Sequence, residues 1–186
     1  MWPLRQHSCG LRCAGSAQFL QETSAASTRF SMDARYLQRA IALAEEGMLQ
    51  GRGGPFGALV VRGDEILAEA CNQVTSALDP TAHAEVVAIR SACQRLGSHS
   101  LSGCQIYSSC EPCPMCLGAV YWARLDGLYF AASRSDAAAI GFDDEFLYGE
   151  LGKSIAQRSL RTEQGLADVA AHMMQRWLQA PPERRY

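Results

Sequence analysis

The pattern of apolar and polar positions first predicts a helix and then a β-hairpin. Helical spacing relates four apolar residues, Leu37, Ile41, Ala44 and Met48. They predict a helix over Ala34 to Leu49 that packs this stripe on a sheet, and the glycine-rich segment 51–55 ends it. Two apolar runs, Phe56 to Val61 and Glu65 to Cys71, are joined across a short polar turn and predict the hairpin.

Further along the chain, the pattern alternates between helices and strands. Helices are predicted from His83 to Leu96 and from the cysteine pair near residue 113 to Ala123. Strands are predicted at Gln105 to Ser108 and at Gly127 to Ala131. This alternation predicts an α/β sandwich in which helices cover both faces of a mixed sheet. Beyond residue 135 the pattern is weak.

One domain accounts for most of the chain. The 186 residues, of which 48% are hydrophobic, are enough to bury a substantial core. We expect residues 32–186 to form this domain. Residues 1–31 show no sustained period and are rich in Ser, Ala and Thr, which is the composition of a transit peptide. The alternative is that translation begins at Met32, so residues 1–31 are expected to be a disordered leader or a mis-assigned start.

The net charge argues against a nucleic-acid partner. It is −2 for the whole chain. Without the three arginines and the one glutamate of residues 1–31, the domain has 14 basic and 18 acidic side chains and a net charge of −4. Lys153 is its only lysine, whereas proteins that bind nucleic acid usually present a basic patch. A small uncharged ligand fits this charge better.

The cysteines and the hydropathy indicate the compartment. Eight cysteines in a chain of this length lack the density of a disulfide-stabilised secreted domain, so we expect a reducing compartment, the cytoplasm. No apolar run approaches the roughly 18 residues needed to span a bilayer. We therefore expect a soluble protein with no membrane partner.

Two short motifs carry the chemistry. His83-Ala84-Glu85 supplies an imidazole, and Pro112-Cys113-Pro114-Met115-Cys116 supplies two thiolates. Three such ligands are typical of catalytic zinc sites, which keep a fourth position for water, whereas structural sites use four protein ligands. Together, H-x-E and P-C-x-x-C form the signature of zinc-dependent nucleobase deaminases. We expect one Zn²⁺ per subunit with a bound water or hydroxide, and Glu85 as the catalytic carboxylate.

Other interpretations of the cysteine pair remain open. A C-x-x-C pair alone is often a redox dithiol or half of a structural zinc site. A redox dithiol needs neither His83 nor Glu85. A structural site requires a fourth ligand, for which Cys110 is the candidate, although a small buried cysteine at a strand end is the simpler interpretation.

Five sequence strings extend these motifs into a family resemblance. They are Gly53-Gly54-Pro55-Phe56-Gly57-Ala58, Asp79-Pro80-Thr81-Ala82-His83-Ala84-Glu85, Ser109-Cys110-Glu111-Pro112-Cys113-Pro114-Met115-Cys116-Leu117-Gly118-Ala119, Tyr121-Trp122-Ala123-Arg124 and Gly141-Phe142-Asp143-Asp144. Residues 32–186 thus resemble the cytidine-deaminase-like superfamily and, within it, the small bacterial guanine deaminases. The last string and the terminal tyrosine are what favour guanine. The resemblance implies a three-layer α/β/α sandwich with a mixed five-stranded sheet.

The resemblance also implies a set of substrate-binding residues. Asn72 would hydrogen-bond the purine edge. Asp144, rather than Asp143, would accept hydrogen bonds from guanine N–H groups. The remaining residues implied at the base are Phe56, Ala84, Trp122 and Tyr186. Tyr186 would close the pocket across a homodimer whose C-terminal segment is exchanged between the subunits.

The expected reaction is the hydrolysis of guanine to xanthine and ammonia in purine catabolism or salvage. Glu85 would take a proton as hydroxide attacks C2, pass it to N3 and then protonate the leaving amine. A tRNA adenosine deaminase shares both motifs and is the first alternative, followed by deaminases of cytosine, cytidine or a pterin-like base. The non-enzyme alternative is a structural zinc module.

Overall fold

The structure is a computed structural model that describes residues 31–181. The interpretation of the N-terminal segment as a leader or mis-assigned start falls almost entirely outside these residues. The same holds for the predicted role of Tyr186. Within the described residues, no helix is both long and apolar enough to cross a membrane.

A mixed sheet of four strands forms the centre of the domain. Its strands are β1 Gly57–Arg62, β2 Glu65–Cys71, β3 Gln105–Cys110 and β4 Gly127–Ala132. They lie in the order β2-β1-β3-β4, with β1 antiparallel to both neighbours and β3 parallel to β4. The predicted α/β fold with one mixed sheet is confirmed.

The predicted fifth strand is not found among the described residues. Ser133 follows β4 directly and forms a capping box with Asp136, in which each side chain accepts from the other residue's backbone N–H. A capping box begins a helix. The chain therefore turns into helical structure at the point where another strand would have to start.

Seven α-helices and two 3₁₀ turns surround the sheet in the described part of the chain. The helices are α1 Ala34–Leu49, α2 Val74–Ala77, α3 Ala84–Leu96, α4 Pro114–Trp122, α5 Arg134–Ala139, α6 Asp144–Leu151 and α7 Ala167–Gln175. The 3₁₀ turns are Ile155–Gln157 and Arg176–Gln179. Helix α3 ends at Gly97, which adopts the left-handed conformation that favours glycine.

Helices pack on both faces of the sheet. On one face, Ala40 and Leu43 of α1 contact Leu59, Val61 and Tyr107. The other face carries α3 and α4, and its core is Ala58, Val60, Ile106, Ala84, Ala88, Ile89, Val120 and Ala123. Because successive strand residues point to opposite faces, β1 and β3 supply both cores at once. The domain has three layers.

The buried face of α1 differs from the predicted one. The helix buries Ala40, Leu43, Ala44 and Gly47. Ile41 and Met48, two of the large residues in the predicted stripe, are exposed. The reason is the close approach of the helix to β1, where a Cβ on Gly57 would lie 2.2 Å from the Ala40 carbonyl oxygen. So tight a contact selects small side chains on the helix.

Candidate active site

Three side chains converge where β3 ends. His83, Cys113 and Cys116 place their ligand atoms within 4.8 Å of one another. His83 Nδ1 lies 3.6 Å from Cys113 Sγ and 3.5 Å from Cys116 Sγ. Tetrahedral zinc, with Zn–S of about 2.3 Å and Zn–N of about 2.0–2.1 Å, sets sulfur and nitrogen ligands roughly 3.6 Å apart. The three residues are placed as zinc ligands would be.

The N-terminal ends of two helices position these three ligands. His83 is the N-cap residue of α3, and Cys113 is the N-cap residue of α4. Pro114 occupies the first turn of α4, where its missing N–H and fixed φ are compatible with a helix start. Cys116 lies three residues after Cys113, so both sulfurs emerge on the same side of the first turn. The positive end of a helix macrodipole favours thiolates there.

The thiols are electrostatically coupled to one another. The pKa of Cys113 is lowered to about 4, first because Cys116 donates a hydrogen bond to it and then because His83 lies beside it. The same hydrogen bond, together with burial, raises the pKa of Cys116. The bond to Cys113 raises the pKa of His83. Because the ligand form of a cysteine is the thiolate, metal binding at these two sulfurs releases thiol protons.

The described ligand cluster consists of these three residues and does not include Cys110. Cys110 is buried at the end of β3, and its Sγ lies 3.5 Å from the Ser133 carbonyl oxygen. This arrangement gives no support to a closed four-ligand site. A three-ligand site keeps a coordination position for a reacting molecule.

Glu85 is buried beside the ligands with a defined orientation. Ser108 Oγ donates to Glu85 Oε1 at 2.9 Å, and Cys116 Sγ lies 3.4 Å from Oε2. Burial raises the pKa of Glu85, and the Ser108 bond opposes that shift. A carboxylate whose pKa is raised takes up a proton more readily, which favours a role as a general acid and base.

A cavity of about 280 Å³ opens onto this carboxylate and the metal ligands. It lies near the small end of the roughly 300–1,000 Å³ range of small-molecule sites. The lining is largely apolar with a few polar groups, and comprises Gly54, Phe56, Asn72, Val74, Thr75, Pro80, His83, Glu85, Glu111, Cys113, Phe142 and Asp144. Phe56 and Phe142 meet edge to face, with ring centroids 4.7 Å apart. Such walls suit a flat aromatic ring.

Asn72 presents only one side of its carboxamide to the cavity. Its Oδ1 accepts hydrogen bonds from the backbone N–H groups of Gly54, at 3.2 Å, and Val74, at 3.1 Å. The Nδ2 amino group remains as the donor of this buried side chain. A Cβ on Gly53 would lie 2.2 Å from Oδ1, so glycine is required next to the amide.

The adjacent aspartates have different surroundings. Asp143 is the N-cap of α6, and its Oδ1 accepts from the Phe146 backbone N–H at 3.0 Å. Asp144 is the first residue of α6 and lines the cavity. Burial raises the pKa of Asp144, and the negative charge of Cys113 adds to the effect.

The other three residues that the resemblance implied at the base are not found among the described side chains that line the cavity. Ala84 begins α3 and is fully buried in the core. Tyr186 lies outside the described residues. Trp122 corrects our expectation, because it is 71% exposed and lines a separate depression with Ile89 instead of the base cavity. It is the last residue of α4, and six residues of helix carry it about 9 Å along the axis from Cys116.

Sequence reasoning missed three residues at the site. Ser108 holds Glu85, Phe142 forms a cavity wall, and Glu111 lines the cavity. For two of these residues, the sequence contained a feature that could have identified them. Ser108 is a polar residue within a predicted strand, and Phe142 belongs to the string that suggested guanine.

Comparison with known families matches most of the described domain. Residues 30–132 match the model of the cytidine and deoxycytidylate deaminase zinc-binding region. Guanine deaminase of Bacillus subtilis is 54% identical over 125 residues, which are 67% of this chain and 80% of that protein. A tRNA-specific adenosine deaminase of Aquifex aeolicus is 45% identical over 78 residues, which cover 42% of this chain and 52% of that protein.

Among solved structures, this chain is similar to guanine deaminases. The crystal structure of Bacillus subtilis guanine deaminase superposes with a TM-score of 0.80 at 46% identity and covers 84% of this chain and 99% of that one. A guanine deaminase structure from Nitrosomonas europaea has a TM-score of 0.58 at 29% identity, with 76% and 74% covered.

Proposed function

This chain belongs to the zinc-binding cytidine and deoxycytidylate deaminase family, and from that premise we propose that it hydrolyses guanine to xanthine and ammonia. One observation carries the proposal beyond the family. Asp144, which lies after the region shared by the family, enters the same cavity as the metal ligands and Glu85. The Bacillus subtilis guanine deaminase structure covers 84% of this chain, which is enough to include this segment.

The polar groups of the cavity complement guanine. Guanine carries acceptors at O6 and N7, and the Nδ2 group of Asn72 is a donor suited to that edge. Its N–H groups need an acceptor, and the ionised Asp144 carboxylate accepts only. Phe56 and Phe142, which contact each other edge to face, provide an apolar wall for the base. Ala84 contributes a backbone N–H from the first turn of α3, where helical N–H groups lack partners within the helix.

Glu85 carries the protons. His83, Cys113 and Cys116 would hold a zinc ion, which would supply the Lewis acidity that lowers the pKa of a water molecule and makes it a nucleophile. Glu85 accepts a proton from the water that attacks C2 of guanine and delivers it to N3. It then transfers the second water proton to the departing amine, and the carboxylate is regenerated as ammonia and xanthine leave. Ser108 keeps the carboxylate oriented through both transfers.

We further propose a homodimer in which the C-terminal segments are exchanged. Apolar side chains after α6 are largely exposed in the single chain, including Leu160 at 75% and Leu166 at 80%. Exposed apolar surface of this extent usually marks an interface. The partner's Tyr186 would close the cavity. The metal thiolates require a reducing compartment, for which we propose the cytoplasm.

The decisive experiment measures xanthine and ammonia from zinc-loaded protein. Guanine, guanosine, adenine, cytosine, cytidine and tRNA are supplied in parallel, with Glu85→Gln as the control. We expect turnover of guanine alone, and Glu85→Gln should retain zinc but lose at least about 100-fold in kcat, the lower range for removal of a general acid and base. Inosine formed in tRNA would instead support the adenosine deaminase alternative. An active, zinc-loaded Glu85→Gln protein would refute the role of Glu85, and no turnover of any substrate would leave a structural zinc module.

A further inference from the structure

Helix α6, which begins with Asp144, has few anchors to the rest of the domain. None of its eight residues is fully buried. Asp144 and Tyr148 are partly buried, whereas the intervening Phe146 and Leu147 are exposed. Residues four apart on a helix share one face. The face that carries Asp144 into the cavity is therefore the face that carries Tyr148.

Tyr148 connects this helix to the loop between β3 and α4, residues 111–113, which we call the metal loop because it carries Cys113. Its hydroxyl donates to the carbonyl oxygen of Pro112 at 3.0 Å, and Pro112 immediately precedes the ligand Cys113. The hydrogen bond spans 36 residues of sequence, so it joins two parts of the chain that the backbone alone leaves independent. It fixes α6 relative to the loop one helical turn away from Asp144.

A second set of contacts supports the tyrosine ring. The guanidinium of Arg134 lies 4.9 Å from the centroid of the Tyr148 ring, within the range of a cation–π contact. The backbone N–H of Arg134 donates to Glu111 Oε2 at 3.1 Å, and Glu111 lines the cavity. We call Glu111, Pro112, Arg134 and Tyr148 the tyrosine cluster. It ties α5, α6 and the loop before α4 together at the cavity wall.

We propose that Tyr148 is a positioning residue that sets the location of Asp144, and hence recognition of the base, through its hydrogen bond to Pro112. The proposal rests on the function proposed above, because it assigns to Asp144 the binding of guanine. Tyr148 itself does not line the described cavity, so its effect on the substrate passes through α6.

The test compares Tyr148→Phe, which removes only the hydroxyl, with Tyr121→Phe, whose side chain is 64% exposed on α4. We expect Tyr148→Phe to raise KM for guanine about fivefold, the size expected for one neutral hydrogen bond, with kcat within about twofold and zinc content unchanged. Amide hydrogen exchange should become faster in residues 144–151 and stay constant in the four strands. Tyr121→Phe should match the parent protein in every measurement.

A double-mutant cycle tests whether Tyr148 acts through Asp144. In the Asp144→Asn background, Tyr148→Phe should no longer change KM. The same fivefold increase in that background would overturn the proposal, as would loss of zinc or unchanged exchange in α6. If the parent protein does not turn over guanine, the proposed function fails, and the exchange measurement still decides whether Tyr148 positions α6.

Discussion

At the residue scale, burial raises the pKa of two of the acidic residues that line the cavity, Glu85 and Asp144, and the proposed function gives each shift a different consequence. In the proposed reaction Glu85 gains and loses protons, and a raised pKa favours this exchange. In the proposed complex Asp144 has to stay ionised in order to accept hydrogen bonds from guanine, so its raised pKa would limit binding at low pH. The loss of guanine binding at low pH is therefore expected to follow the protonation of Asp144.

Guanine binding is expected to weaken on acidification at a higher pH than an ordinary aspartate would allow. The carboxylate is present above its raised pKa and is lost as the pH falls through it, whereas an unperturbed aspartate titrates near 3.9. KM measured against pH, with zinc content checked at each point, should rise as the pH falls through the pKa of Asp144; we call this rise the acid limb. Asp144→Asn should abolish the acid limb and raise KM about tenfold or more, because a hydrogen bond to a charged group is lost.

Asp143→Asn is the matched control for this measurement. Asn serves as an N-cap as well as Asp does, so α6 should start normally and KM should keep its pH dependence. A tenfold effect at Asp143 with none at Asp144 would reverse the assignment of the two aspartates.

Sequence spacing was enough to predict the proposed metal ligands and Glu85, but not Ser108, the residue that holds Glu85 in place. The H-x-E and C-x-x-C spacings predict His83, Glu85 and the two cysteines, because each pair lies within one helical turn or beside a helix start. Ser108 reaches Glu85 across 23 residues of sequence. That contact depends on the register of β3 under α3, which a single sequence does not encode in local spacing.

At the element scale, the predicted bounds of α1 are confirmed, but its predicted buried face was wrong at Ile41 and Met48. Hydrophobic periodicity weights large side chains such as Ile41 and Met48, whereas the close contact with β1 at Gly57 admits small ones. The helices after β4 were missed for a related reason. Helices α6 and α7 have no fully buried residue, so they lack the buried apolar face from which a helix is usually predicted.

The loop before β1 offers a test of close packing at the cavity. In Gly53→Ala, the new Cβ would overlap Asn72 Oδ1 and force the amide away from its two backbone donors. We expect KM for guanine to rise about tenfold and the free energy of unfolding to fall by about 1–3 kcal/mol, with zinc retained. Steady-state kinetics and denaturant unfolding give these values.

Gly149→Ala is the corresponding control, since a Cβ there meets nothing within 4 Å and the position is helical. It should leave KM unchanged and keep or increase stability. Equal effects of the two substitutions would contradict the assigned role of Gly53.

At the scale of the whole molecule, the proposed dimer depends on the segment after α6. Deleting residues 154–186 removes the exposed apolar side chains and Tyr186 together. We expect the truncated protein to be monomeric by light scattering, to keep zinc because its ligands precede the cut, and to lose at least about tenfold in kcat/KM. A truncated protein that remains dimeric and fully active would exclude the exchange of C-terminal segments.

The division of the site between core and periphery bears on how such enzymes diversify. The nitrogen-removing chemistry is anchored in α3, α4 and β3, which share the central core. The group proposed to choose the base is carried by α6, a helix with no fully buried residue. Substitutions or insertions in that helix therefore escape most of the penalty that core changes incur. A lineage can accordingly acquire a new substrate by rewriting a short peripheral stretch while inheriting its reaction unchanged.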